Sequence, residues 1–116
     1  MKYIITESKL NQVIFKYLDN QDFIQIEKND SIYFINSEGD EYGQIRYDKE
    51  DGWCGIYYKL IEDISSFFSL QEYDSEQVIG RWVENTLQVR VTNTHAQIVA
   101  SIAMLRIPSK WELLTP

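Results

Sequence analysis

The sequence predicts an α+β domain. Two helical stripes and a run of alternating strands between them carry this reading. Leu10, Val13, Ile14, Tyr17 and Leu18 recur at helical spacing, and so do Tyr57, Leu60, Ile61, Ile64, Phe67 and Phe68. Between the two stripes, residues 23–47 alternate with the period of a strand. The elements expected in order are an N-terminal helix, a three-stranded antiparallel meander, two helices, a fourth strand and a short C-terminal helix or strand.

The first helix takes Thr6 or Ser8 as its N-cap, places Glu7 near the positive end of its dipole, and closes at Asn20. Tyr3-Ile4-Ile5 ahead of it reads as a short strand or an apolar lead-in. In the first strand, Phe23 to Glu27, Ile24 and Ile26 lie opposite Gln25. Asn29-Asp30 suits a two-residue turn, because both residues tolerate positive φ. Ser31 to Ile35 is apolar on both faces, as a middle strand should be. Ser37-Glu38-Gly39 supplies the next turn, and Tyr42 to Tyr47 alternates again.

The segment Asp48-Lys49-Glu50-Asp51-Gly52 is expected to end this sheet, with the second helix following from Tyr57. Asp74 and Gln77 have capping-box spacing, with Ser75 as an alternative cap, so a third helix carries Val78, Ile79, Trp82 and Val83 and tolerates Gly80. Leu87, Val89 and Val91 alternate with polar neighbours and predict a fourth strand that returns to the sheet. Thr94 and Gln97 repeat the capping spacing before Ile98, Ile102 and Leu105, a stretch that reads as helix or strand until Pro108 stops it. No repeat, linker or low-complexity stretch interrupts residues 1–116, which read as a single domain.

Composition narrows the function classes. Eleven Lys and Arg stand against eighteen Asp and Glu, a formal charge of -7, which opposes broad binding to nucleic acid or to anionic membrane. The charge is uneven: residues 1–79 carry 7 basic and 16 acidic side chains, and the remainder is slightly basic through Arg81, Arg90, Arg106 and Lys110. The basic end leaves room for a local anionic contact. The single cysteine cannot form an internal disulfide. With no signal h-region, lipidation box or membrane-length apolar run in view, the expected setting is the cytoplasm.

The opening Met1-Lys2-Tyr3-Ile4-Ile5-Thr6-Glu7-Ser8-Lys9-Leu10-Asn11 resembles the start of many small proteins encoded by tailed bacteriophages. Ile79-Gly80-Arg81-Trp82-Val83-Glu84-Asn85-Thr86-Leu87, followed by Gln88-Val89-Arg90-Val91, is similar in flavour. The resemblance implies a virus-encoded accessory protein. It transfers no activity and no catalytic residue.

Candidate chemistry is sparse. Cys54 and His95 are the sole members of their types, so a thiol nucleophile with an imidazole base would need that pair. Cys54 sits in the apolar run Trp53-Cys54-Gly55-Ile56, where a thiol packs rather than reacts. One Cys and one His cannot complete a zinc shell without carboxylates. The acids Glu38, Asp40, Glu41, Asp48, Glu50 and Asp51 miss the offsets of a calcium loop. Gly52-x-x-Gly55 lacks the Lys-Ser/Thr of a phosphate loop. No cofactor and no catalytic or metal residue is therefore assigned, and the chain reads as a non-enzyme.

Acids and aromatics coincide in one segment, which nominates Asp40, Glu41, Tyr42, Tyr47, Asp48, Asp51, Trp53, Tyr57 and Tyr58 as a surface for a host or viral protein. The bland account of the same aromatics is that they cap a small core. Base stacking on them is disfavoured, because the residues between them are acids rather than cations. The alternative is a structural subunit of a virion or homo-oligomer, suggested by the apolar Ile98 to Ile107 and Trp111 to Leu114. A DNA-mimic inhibitor would need more charge than -7 provides.

Overall fold

The computed structural model describes residues 7–35 and 43–97. They form an α+β fold of three helices on one face of a mixed five-stranded sheet. The elements are α1 (Glu7–Asp19), β1 (Ile24–Lys28), β2 (Ser31–Ile35), β3 (Gly43–Asp48), β4 (Trp53–Tyr57), α2 (Tyr58–Phe68), α3 (Glu72–Leu87) and β5 (Asn93–Gln97). Spatial strand order follows chain order, β1-β2-β3-β4-β5.

The first hairpin forms as patterning dictates. Asn29 and Asp30 both adopt left-handed backbone, with φ of 51° and 62°, the geometry that matches the twist of a two-residue hairpin. β2 is then paired on both sides, and its alternate residues divide between two apolar clusters. Ile32 and Phe34 join the main core under the helices, while Tyr33 and Ile35 pack with Ile24 and Ile26 on the outer face, which no described helix covers.

The antiparallel meander runs through four strands instead of three. Patterning alone ends the sheet at Asp48–Gly52, but these residues make a tight turn, and β4 continues the ladder against β3. Asp48 Oδ1 accepts the Glu50 N–H, Asp51 Oδ1 accepts the Trp53 N–H, and Gly52 takes a φ of +76°. Tyr57, expected in the second helix, ends β4. The strand is hard to read because Cys54, Gly55 and Ile56 are all buried, so it lacks the polar alternation that marks a half-exposed strand.

α3 begins at Glu72, ahead of the expected Asp74 or Ser75 cap, and its N-cap residue Gln71 makes no side-chain cap bond. Ser75 is inside the helix and fully buried, with its hydroxyl 2.7 Å from that of Ser65 on α2. The pair satisfies both hydroxyls where the two helices pack.

The expected fourth strand at Leu87 to Val91 is not a strand. α3 runs through Leu87, Gln88 closes it in left-handed conformation, and the strand forms at Asn93–Gln97, parallel to β4. Side-chain bonds explain the displacement. Glu84 Oε2 accepts the Val91 N–H, and the Tyr47 hydroxyl donates to the Arg90 carbonyl, so residues 89–92 cross the end of the sheet as a connector. Val89 and Val91 still pack on the core, which accounts for their apolar alternation. Thr94, expected to cap a helix, lies in β5, where its hydroxyl donates to Glu76 and accepts from Gln77. The Ser37-Glu38-Gly39 turn, the Tyr3-Ile4-Ile5 segment, the Thr6 cap and the helix-or-strand segment 98–107 lie outside the described residues. No helix among the described residues is long and apolar enough to cross a membrane.

The main core joins Ile14 and Leu18 of α1, Leu60, Ile61 and Ile64 of α2, and Val78, Ile79, Trp82 and Val83 of α3 to Phe34, Ile45, Tyr47, Cys54 and Ile56 of the sheet. Gly80 sets the approach of α3 to β5: a Cβ there would lie 2.8 Å from Thr94 Cγ2. Because Glu76 and Gln77 hold the Thr94 hydroxyl, its methyl cannot swing away without loss of those bonds. Gly80→Ala is therefore expected to cost about 1–3 kcal/mol by overpacking, despite the better helix propensity of alanine. The same change in a Thr94→Ser background should be close to neutral. Urea unfolding of the four proteins in this cycle reads the coupling directly; additive effects would contradict the contact.

Candidate functional site

The described residues of the nominated segment do not form one surface. Tyr47 points into the core, 5% exposed. Asp48 and Asp51 accept backbone N–H groups of their own turn. Tyr58 donates to Glu72, so it ties the start of α2 to the start of α3. Asp40, Glu41 and Tyr42 lie outside the described residues. Trp53 and Tyr57 remain, half-exposed, on the outer face of β4.

The register assembles a row around Trp53. Tyr33 pairs with Arg46, Arg46 with Gly55, and Gly55 with His95, so four strands align these positions across the outer face. Gly55 contributes no side chain, and the Trp53 ring occupies its place: a Cβ on Gly55 would meet Trp53 Cη2 at 2.6 Å. The His95 and Trp53 ring centroids are 5.7 Å apart with planes 31° apart, and the Arg46 guanidinium carbon is 5.8 Å from the centroids of both Tyr33 and Trp53. Tyr33, Arg46 and His95 were not legible as partners from the sequence, because they come from three strands and meet only through the register.

A second surface lies on the helix layer. Tyr17 of α1 and Phe67 and Phe68 of α2 make an aromatic triangle with centroid separations of 4.9–5.6 Å. Tyr17 and Phe68 are anchored against the core, whereas Phe67 is 70% exposed. Val13, one turn before Tyr17, is 51% exposed. Glu62 and Asp63 are exposed on α2. The Tyr17 hydroxyl is pushed above its ordinary pKa by burial and, next, by the negative charge of Asp63, which places that carboxylate's field on the triangle. Spacing reads Tyr17, Phe67 and Phe68 as core, since helical periodicity alone cannot separate a buried stripe from its exposed margin.

Cys54 and His95 do not form a nucleophilic pair. Cys54 belongs to the core beneath the helices, and His95 is on the opposite face of the sheet, one register step away. Burial, with lesser contributions from Glu76 and Glu84, pushes the thiol up to about 12 from 9.0, which keeps it protonated and inert at neutral pH. Among the described residues, no three His, Cys, Asp or Glu side chains group to hold a metal ion.

A polar cleft of about 260 Å³ opens between α3 and residues 91–94, with Tyr73, Arg81 and Asn93 in its lining. Much of its polar wall is engaged internally: Gln77 bonds Thr94, Thr94 bonds Glu76, and Glu84 holds the Val91 N–H. No protein-family model matches the chain, and neither a curated protein nor a solved structure matches it.

Proposed function

We propose that the chain is a small acidic accessory protein that binds a protein partner without catalysis, through the aromatic triangle of Tyr17, Phe67 and Phe68. The observation that carries this reading is Phe67, a large apolar ring 70% exposed on two anchored aromatic neighbours. Exposed aromatic clusters with a polar rim mark contact sites, because the rings give large buried area at little entropic cost. Asp63, whose charge reaches Tyr17 and which pairs with Lys59 at 3.9 Å, favours a partner whose matching surface carries a cation. The resemblance of residues 1–11 to small tailed-phage proteins supports a viral origin, with a host or viral partner in the host cytoplasm. Separation of Cys54 from His95 supports binding over thiol chemistry.

A photo-crosslinking phenylalanine analogue at position 67, expressed in bacterial cells, should capture one discrete protein. The same analogue at exposed Gln25 on β1 should not. With that protein purified, Phe67→Ala should weaken the complex by about 30-fold, the loss of about 2 kcal/mol expected of a hot-spot ring. It should change folding stability by no more than about 0.5 kcal/mol. Equal labelling from both positions, or an unchanged dissociation constant, would reject the reading.

A further inference from the structure

Arg46 is held in place without an ion-pair partner among the described residues. Its guanidinium lies against Tyr33 and Trp53, and Nε donates a long 3.4 Å bond to Ser31 Oγ. Neither the Lys49–Glu27 nor the Lys59–Asp63 ion pair involves Arg46. The Nη hydrogens thus have no acceptor among the described residues. The Trp53 ring lies next to this charge, and the His95 ring lies on its neighbour. Trp53 is laid across Gly55, and His95 beside it is exposed, with Nε2 3.0 Å from Asn93 Nδ2.

We propose that the outer face of β3, β4 and β5 is a docking site for a short single-stranded nucleic acid, with a base stacked on Trp53 and His95 and the adjoining phosphate on Arg46. Sheet-borne aromatic rings beside an arginine suit this ligand, because every base offers a π-face and every linkage an anion. A proline-rich peptide would use the rings and leave the arginine unmatched. An acidic peptide would use the arginine and leave the rings unmatched. Gln44, Asn93 and Gln97 on the same face add amide donors and acceptors for base edges.

Bulk acidity does not describe this face. Among the described residues, the outer face of the sheet carries Lys28 on β1 and Arg46 on β3 against Asp48 on β3. The net charge of -7 limits the ligand to a few nucleotides, since a long polyanion would be repelled by the rest of the molecule. Affinity then comes from stacking and from one or two phosphates, in contrast to a cationic groove. This site is on the opposite side of the sheet from the α1–α2 aromatic triangle and does not depend on it.

The test is titration of the full chain with a labelled eight-nucleotide uridine RNA, beside an abasic strand with the same backbone. The uridine strand should bind at least about tenfold more tightly than the abasic strand. The slope of log K against log salt should be shallow, about -0.7 to -1.4 for one or two phosphates. Trp53→Ala should weaken uridine binding by about tenfold or more, and Arg46→Gln should flatten the salt slope. Gly55→Val displaces the Trp53 ring, because a Cβ there meets Trp53 Cη2 at 2.6 Å, so binding should fall, together with some loss of thermal midpoint from overpacking. His95→Ala, at an exposed position, is the fold-neutral check. Equal affinity for the abasic strand, a slope steeper than about -3, no saturation at millimolar RNA, or unaltered binding by Gly55→Val and His95→Ala would each overturn the proposal. Binding of a proline-rich or glutamate-rich peptide, dependent on Trp53 and without any binding of RNA, would reassign the face to peptides.

Discussion

Trp82→Ala should lose about 3–5 kcal/mol of folding stability, a large share of the roughly 5–15 kcal/mol available to a domain of this size. Trp82 is 4% exposed at the centre of an aromatic stack, with ring centroids 5.1 Å from Phe34 and 5.8 Å from Phe23. Its Nε1 donates to Asp19 Oδ1 at 2.9 Å and so fastens the end of α1 to α3. Truncation opens a cavity between the helix layer and β2 that the flanking rings cannot fill. Trp82→Phe keeps most of the packing and removes the indole donor; because Asp19 is exposed and can turn to water, its cost should be nearer to 1 kcal/mol. Urea unfolding at pH 7 separates the two effects. A loss below about 1.5 kcal/mol for Trp82→Ala would mean that the stack is not central to the fold.

The second large effect is alkaline destabilisation. Cys54 titrates at 9.0 when unburied and is pushed up to about 12 in the fold, chiefly by burial. A raised folded value gives stability that is complete below the unfolded pKa and is lost as pH rises through the folded one. From about pH 9 to about 12, then, the unfolded chain releases a proton that the native chain retains. The loss is about 1.4 kcal/mol per pH unit, or about 4 kcal/mol across the window. Tyr47, raised first by desolvation and next by Cys54, adds in the same direction. Cys54→Ala should be less stable than the parent at pH 7, by the lost packing, but should show a flatter decline above pH 9. Parallel curves for the two proteins between pH 7 and 10.5 would refute the assignment. The native thiol should also resist alkylation at pH 8 and react at the rate at which the protein unfolds.

What the sequence disclosed follows from where its signals are local. α1, the Asn29-Asp30 turn and the doubly apolar β2 each announce themselves within a few residues. β4 is silent by that measure, since Cys54-Gly55-Ile56 is buried on both sides and carries no period. β5 is misplaced for a different reason: Val89 and Val91 mimic strand alternation while packing as a connector, and Asn93-Thr94-His95-Ala96-Gln97 has no apolar pattern to advertise a strand. The sites suffered most. Tyr47 and Trp53 are neighbours in a chemically uniform segment, yet one fills the core and the other lies on the outer face, a difference set entirely by register. Phe67 belongs to a helical stripe whose margin escapes burial, and only its neighbours Tyr17 and Phe68 show which margin that is.

The order of strands has a consequence in chain entropy. The β1–β2 and β3–β4 pairs close over a few residues of turn, whereas β4 and β5 are separated by residues 58–92. That is about three doublings of loop length beyond the β3–β4 turn, an added closure cost of about 2 kcal/mol. The β4–β5 seam is therefore where the sheet is costliest to close. Trp53 and His95 meet diagonally across it, Trp53 being paired with Asn93 and His95 with Gly55, so the contact between their rings exists only in chains that have completed that closure.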